Sequence, residues 1–372
     1  MLNVAHVITD RVPPLTRGIS KLLNSDICSH LFLQGSDVYP NKAQSLENND
    51  WVKKFEKYDY LPISWWQRIR RMNGYARVLF SMMLPEISLI GIWRMIMGPR
   101  RIVFHGYIMN FWVLFLLRLV GKKMVLIHWG GQPRAGRFRG WFSRLEFKLL
   151  NHVFVLMTPE VRYFSNYMGK RVSVLPYASL DCTEWRFLES YYEGAHEQRC
   201  LILGNSAWHY QRYGEILDKL IPEEWDRVTC MLNYGQESRL CEVNSFLQRY
   251  REKFGDRLFE WRDVLPYDEY CKVVGGSPIY IAPTKTQGGL GAINTGVKQG
   301  KALLLRGDNL RWIRELGVSA YDIDEIKDWS YDGLHALIPS RETAQASFNN
   351  YKTNYCERFT VAEWTNRILQ VL

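Results

Sequence analysis

Short apolar strands alternate with helices along this chain, and each strand ends in a polar or glycine-bearing turn. That alternation constrains the fold more than any other feature. Residues 2–9, 31–33, 101–106, 123–127, 153–157 and 172–175 read as strands, with a turn at 10–14 and helices expected from there to about 24 and over 108–120, 137–150 and 159–168. The pattern restarts at strand 200–203. It continues through helix 211–220, strand 228–233, helix 238–254, strand 258–261, helix 267–274, strand 278–282, helix 291–299, strand 302–306, helix 309–316 and a short strand near 320. Strands separated by helices predict parallel, doubly wound sheets. Two such runs in 372 residues predict an α/β chain of two Rossmann-like domains facing a cleft. The expected boundaries are 1–178 and 179–355, with 356–372 a C-terminal helix that packs back on the first domain.

Parallel sheets bind ligands at the carboxyl ends of their strands, so chemistry is sought in the turns. Gly204-Asn205-Ser206 follows the strand at 200–203. Thr284-Lys285-Thr286-Gln287-Gly288-Gly289-Leu290-Gly291 follows the strand at 278–282 and opens a helix. Glycines let backbone N–H groups approach an anion, and a helix N-terminus adds partial positive charge. Each turn alone is also compatible with an ordinary strand-to-helix connection. His209, Arg212, Tyr234, Gly235, Asn294 and Asn309 lie where they can join the two turns in holding a phosphate or sugar. In the first half, Asp10, His105 and His128 close strands and are candidate proton acceptors. Each has a structural alternative as a hydrogen-bonded turn residue.

Composition narrows the partners. The net charge is +10, which favours phosphate, acidic lipid or nucleic acid. The seven cysteines are scattered without a Cys-x-x-Cys pair, which predicts a reducing compartment and neither a disulfide framework nor a zinc site. Residues 1–8 read as a strand and not as a secretory signal, so a cytoplasmic location is expected. Segment 61–101 mixes tryptophan with arginine. Trp65, Trp66, Arg68, Arg70 and Arg71 suit a helix lying in a membrane surface, or one that covers the sheet. The most apolar stretch, 108–120, is interrupted by Arg118 and is too short to span a bilayer; it reads as a buried helix.

The absences are informative too. No Gly-x-Gly-x-x-Gly follows the first strand, and there is no Walker sequence, which argues against a nicotinamide enzyme and an NTPase. Two successive Rossmann-like halves then suggest the GT-B glycosyltransferase architecture. Metal-independent chemistry goes with that architecture, so no metal and no cofactor are expected.

From about residue 3 to 320 the chain resembles the bacterial 4-acetamido-4,6-dideoxygalactose transferases of enterobacterial common antigen synthesis, glycosyltransferase family 56. The likeness rests on Phe104-His105-Gly106, Ile127-His128-Trp129-Gly130, Gly204-Asn205-Ser206, Leu265-Pro266-Tyr267-Asp268-Glu269-Tyr270, Gln287-Gly288-Gly289-Leu290-Gly291 and Asp308-Asn309-Leu310-Arg311-Trp312. The resemblance implies a dTDP-linked deoxyamino-sugar donor. It also implies a polyprenyl-linked glycan acceptor, handled by a peripheral enzyme at the cytoplasmic face of the bacterial inner membrane. The chain departs from the family at Gly131-Gln132-Pro133-Arg134, where the family has an acidic residue, at Ala207-Trp208-His209, and over 40–100. A GT-B enzyme with a soluble or protein acceptor is the nearest rival expectation. A nucleic-acid-binding protein is the remote one, suggested by charge alone and by no recognition motif.

Overall fold

A computed structural model describes residues 2–8, 28–34, 89–106, 111–128, 144–169, 171–176, 185–195, 198–204, 206–233, 240–262, 265 and 267–372. The chain divides into two compact units: Met1–Leu180 together with Phe359–Leu372, and Asp181–Arg358.

The first unit holds a six-stranded sheet in the order β2-β1-β3-β4-β5-β6, and every neighbouring pair is parallel. Its strands are β1 (Leu2–Ile8), β2 (Cys28–Gln34), β3 (Arg101–Gly106), β4 (Lys123–His128), β5 (His152–Val155) and β6 (Val172–Val174). Strands β3, β4 and β5 are buried almost end to end, as parallel strands covered on both faces must be. Ile102, Phe104, Met124 and Leu126 form one cluster with Val113, Leu114, Leu117 and Phe164 from the covering helices. Fully burying such a side chain contributes about 1.5–3 kcal/mol.

The last helix, Val361–Val371, belongs to this unit although it ends the chain. Thr360 caps it by accepting from the Glu363 backbone N–H, and Trp364 and Ile368 are buried. The Trp364 ring stacks on His105 with centroids 6.4 Å apart.

The helix Phe111–Leu119 corrects the expectation of a buried element at 108–120. Val113, Leu114 and Leu117 are buried, but Trp112, Phe115, Leu116 and Leu119 face solvent. The length of an apolar run reports hydrophobicity and not which face a sheet covers.

The second unit repeats the plan, with order β12-β11-β10-β7-β8-β9 and all pairs parallel. Its strands are β7 (Cys200–Leu203), β8 (Arg227–Met231), β9 (Leu258–Trp261), β10 (Ile279–Ala282), β11 (Ala302–Leu305) and β12 (Tyr321–Asp322). Leu201, Leu203, Ile279, Ile281, Ala302 and Leu304 pack in one cluster with Tyr213, Ile216, Leu217, Val243 and Leu247 of the helices Tyr210–Leu217 and Leu240–Phe254. Ile202, Tyr280 and Leu303 alternate to the other face and are equally buried. Trp312 packs edge-on against Tyr355 and is fully buried, which makes it a core residue.

Three buried histidines give the fold an acid sensitivity. Burial lowers His105 to about 3 and His128 to about 4. Burial, then the charge of Arg171, lowers His152 to about 4, and that ring also bonds the Ser173 hydroxyl at 2.8 Å. All three titrate near 6.5 in the unfolded chain, which therefore binds more protons below that pH. Their contribution is complete above about 6.5 and falls as the pH drops toward 4. At pH 5 the His105 and His128 imidazoles are each expected to cost about 2 kcal/mol relative to pH 7, and His152, less completely enclosed, a smaller amount. Denaturant unfolding at pH 7 and pH 5 reads the loss. His105→Gln is expected to flatten the slope by one proton's worth, and an unchanged slope contradicts the assignment.

Candidate functional site

Sheet order locates the site within the second unit. The chain runs from β7 outward through β8 and β9, then crosses back to β10 on the other side of β7 and continues to β11 and β12. The order therefore reverses between β7 and β10, and the carboxyl ends of strands at such a reversal form the natural ligand crevice of an open α/β sheet. Gly204 and Ser206 follow β7 there, and residues 283–289 follow β10. The Gly204 N–H donates to the Ile281 carbonyl at 2.8 Å and fastens one turn to the other strand.

Each turn is held by a specific side chain. Gly204 has φ of +61°, and a Cβ there would meet the Tyr213 hydroxyl oxygen at 1.9 Å. Tyr213 comes from the helix Tyr210–Leu217 and lies against the turn. Its hydroxyl accepts from the Ser206 N–H at 3.0 Å and lies 2.8 Å from the Ser206 carbonyl and 3.2 Å from that of Met231, to which it can donate. The second turn is clamped by Asn309, which is fully buried. Its Nδ2 donates to the Gly288 carbonyl at 2.9 Å and lies 3.2 Å from the Thr284 hydroxyl, while its Oδ1 accepts from the Gly288 N–H at 3.4 Å. Gly289 caps the helix Leu290–Lys298 with φ of +70°. Gly291 is exposed in the first turn of that helix, and a Cβ there would have no neighbour within 4 Å. Asn309 reaches this turn because β11 is the neighbour of β10 and Gly307 allows close approach. Gly307 has φ of +61°, a Cβ would fall 2.2 Å from the Lys285 carbonyl oxygen, and that oxygen accepts from the Asp308 N–H at 3.0 Å.

Charge around this edge is organised by one carboxylate. Glu215 accepts from Arg306 Nη1 at 2.8 Å and from Arg212 Nη1 at 2.7 Å, and Arg306 also pairs with Asp324 at 2.6 Å. Burial pushes the Glu215 carboxyl up, but the hydrogen bonds from Arg306 and Arg212 outweigh it and hold it below the usual range. Arg306 is buried and doubly paired, so it ties β11 to the helix Tyr210–Leu217. Arg212 and Lys285 are exposed.

The remaining candidates divide as follows. His209 is half-buried, its N–H bonds the Ser206 carbonyl at 3.3 Å, and it begins the helix Tyr210–Leu217. Gln287 is half-buried in the second turn. Asn294 is one turn along the helix Leu290–Lys298, and its Oδ1 accepts from the buried Tyr351 hydroxyl. Asn205, Tyr234 and Gly235 lie outside the described residues, as do Asp10, Trp65, Trp66, Arg68, Arg70 and Arg71. Sequence reasoning missed Tyr213 and Arg306. Arg306 directly follows a strand, which is a signal; Tyr213 reads as an ordinary helical residue.

In the first unit the order reverses between β1 and β3. His105, paired in register with Ile8, stands at that reversal, and Gly106 is in register with His128 on the next strand. Both imidazoles are buried, His128 against Phe164 with ring centroids 4.7 Å apart, and both stay neutral at pH 7. Among the described residues no group of three His, Cys, Asp or Glu is placed to hold a metal ion.

No protein-family model and no curated protein matches the sequence. Solved structures do. The chain is similar to the N-terminal domain of trehalose-6-phosphate phosphatase from Candida albicans, with TM-score 0.68 and 12% identity over 100% of this chain and 97% of that one. It is similar to sucrose-phosphate synthase from Thermosynechococcus elongatus, with TM-score 0.67 and 10% identity over 100% and 98%. It is also similar to HepE from Anabaena, solved with UDP and glucose, with TM-score 0.65 and 11% identity over 100% and 99%. The fold is thus of the GT-B type, two Rossmann-like units each built on a parallel sheet. Identities this low carry the fold and not the activity.

Proposed function

We propose that the protein is a GT-B glycosyltransferase that transfers a sugar from a nucleoside-diphosphate donor. The observation that carries this reading is the pairing of two strand-end turns, Gly204–Ser206 and Gly288–Gly291, at the reversal point of the second sheet, where the second opens the N-terminus of the helix Leu290–Lys298. HepE, which shares the fold, was solved with UDP and glucose, and that supports a nucleotide-sugar as the donor class. The likeness to glycosyltransferase family 56 favours a dTDP-linked deoxyamino sugar. It also favours a lipid-linked or lipopolysaccharide glycan as acceptor at the cytoplasmic face of the membrane. A soluble or protein acceptor is the competing reading.

The chemistry follows from charge. The bond between the anomeric carbon and the donor phosphate breaks, the acceptor oxygen bonds that carbon, and its proton leaves to a base. The departing diphosphate gains negative charge. The N-terminus of the helix Leu290–Lys298 stabilises it, with Lys285 adding a full charge and Arg212 a charge shared with Glu215. No metal is required in this scheme. His105 and His128 are neutral but weakly basic because they are buried, which suits them to positioning. Asp10, following β1, is the base candidate.

Calorimetric titration with dTDP, UDP, GDP and CMP tests the reading. One nucleoside diphosphate is expected to bind with a dissociation constant on the order of 10 μM to 1 mM, the range of ordinary substrates. Failure of all four to bind contradicts it.

A further inference from the structure

The helix Phe111–Leu119 carries Trp112, Leu116 and Leu119 at a spacing that aligns them in one stripe, and that stripe is open: Trp112 is 50% exposed and Leu119 67%. The helix Leu89–Met97 packs beside it, burying Ile92 and Met95 in the same cluster while Trp93 is 61% and Met97 66% exposed. Lys122 draws the two C-terminal ends together, its Nζ donating to the carbonyls of Gly98 at 2.6 Å and Pro99 at 3.1 Å. Arg100, Arg118 and Lys123 are exposed around that shared end.

The charge distribution reinforces this. Residues 87–145 contain ten of the chain's 48 Lys and Arg and none of its 38 Asp and Glu. The rest of the chain carries 38 of each, so the whole net charge of +10 resides in the segment that contains these helices. A soluble chain rarely exposes several large apolar side chains side by side without a use for them.

We propose that the paired outer faces of these helices form a docking surface for an anionic phospholipid bilayer. Trp93, Trp112, Leu116 and Leu119 enter the headgroup boundary, and Arg100 and Lys123 meet lipid phosphates. A second copy of the chain would cover the stripe but would bring two wholly basic segments together. A nucleic acid would neutralise the charge and leave the stripe in water. The inference deepens the membrane-face reading above by naming the surface, and it uses no residue of the donor site.

Co-sedimentation with phosphatidylcholine vesicles containing about 30% phosphatidylglycerol tests it at low salt, where such attraction is strongest. The wild-type chain is expected to bind these vesicles and to bind pure phosphatidylcholine far more weakly. Trp112→Gln with Leu116→Gln and Leu119→Gln is expected to lower the partition coefficient about tenfold or more. Arg100→Gln with Lys123→Gln is expected to lower it severalfold and to reduce its salt dependence. Nucleotide affinity should be unchanged in both variants, which also certifies their folding. Equal vesicle binding by the triple variant overturns the proposal. So does a wild-type dimer, seen by sedimentation velocity, that the same substitutions dissolve, or tighter binding to duplex DNA than to vesicles. Vesicle binding without any nucleotide affinity would instead sink the glycosyltransferase reading and leave the docking surface standing.

Discussion

Gly291→Asp is expected to weaken nucleoside-diphosphate binding by at least about a hundredfold while leaving the melting temperature nearly unchanged. The two readouts separate because of where Gly291 lies. A Cβ there meets nothing within 4 Å, and the residue is exposed in the first turn of the helix Leu290–Lys298, so an aspartate fits. A carboxylate near a helix N-terminus is worth about 0.3–1 kcal/mol of stabilisation. The same carboxylate stands beside the anion that the turn is proposed to hold. At about 5 Å and an effective dielectric of about 20, each pair of like charges costs about 3 kcal/mol, more than a hundredfold in affinity. Calorimetry and thermal unfolding of the same sample read both effects. Unchanged affinity would remove the Gly288–Gly291 turn from the site.

The second large effect is on the fold of the site itself. Gly204→Ala is expected to destabilise the second unit by about 3 kcal/mol or more, because it adds a left-handed backbone cost to a steric clash. The methyl would lie 1.9 Å from the Tyr213 hydroxyl oxygen, and that side chain cannot withdraw without breaking its bonds to Ser206 and Met231. Gly121 is the internal control. Its φ is +76°, but nothing lies within 4 Å of a Cβ, so Gly121→Ala is expected to cost only the backbone share, about 1–2 kcal/mol. Denaturant unfolding of the two variants isolates the contribution of the Tyr213 contact. Equal losses would mean that Tyr213 does not fix the turn.

Much of this architecture is legible in the residues. A strand buried on both faces needs an almost unbroken apolar run, and β7, β10 and β11 are such runs, so their turns could be found one by one. Sheet order is not legible in the same way. That β10 returns to pair with β7, and β11 with β10, decides that Gly204 is fastened to Ile281 and Asn309 to Gly288, yet no local signal in any of these residues reports it. Asn309 could be picked out as a polar residue opening a helix; its action as a clamp on Gly288 depends on the long crossing between strands. Tyr213 was hidden because an aromatic residue at helical spacing reads as core, which it also is. The helix Phe111–Leu119 shows the opposite error. Its composition predicts burial, and its surroundings leave one face open. The tryptophan and arginine segment at 61–71 and the Asp10 turn lie outside the described residues, so their roles stand on the sequence alone.

The central claim is that the carboxyl edge of the second sheet, around β7 and β10, holds a nucleoside diphosphate. Amide hydrogen exchange of the full chain, with and without the nucleoside diphosphate that binds best, tests it directly. Ligand-induced protection is expected in segments 204–212 and 284–294, with the C-terminal ends of β7 and β10 included. Binding that protects neither segment, or protects only the first unit, would contradict it.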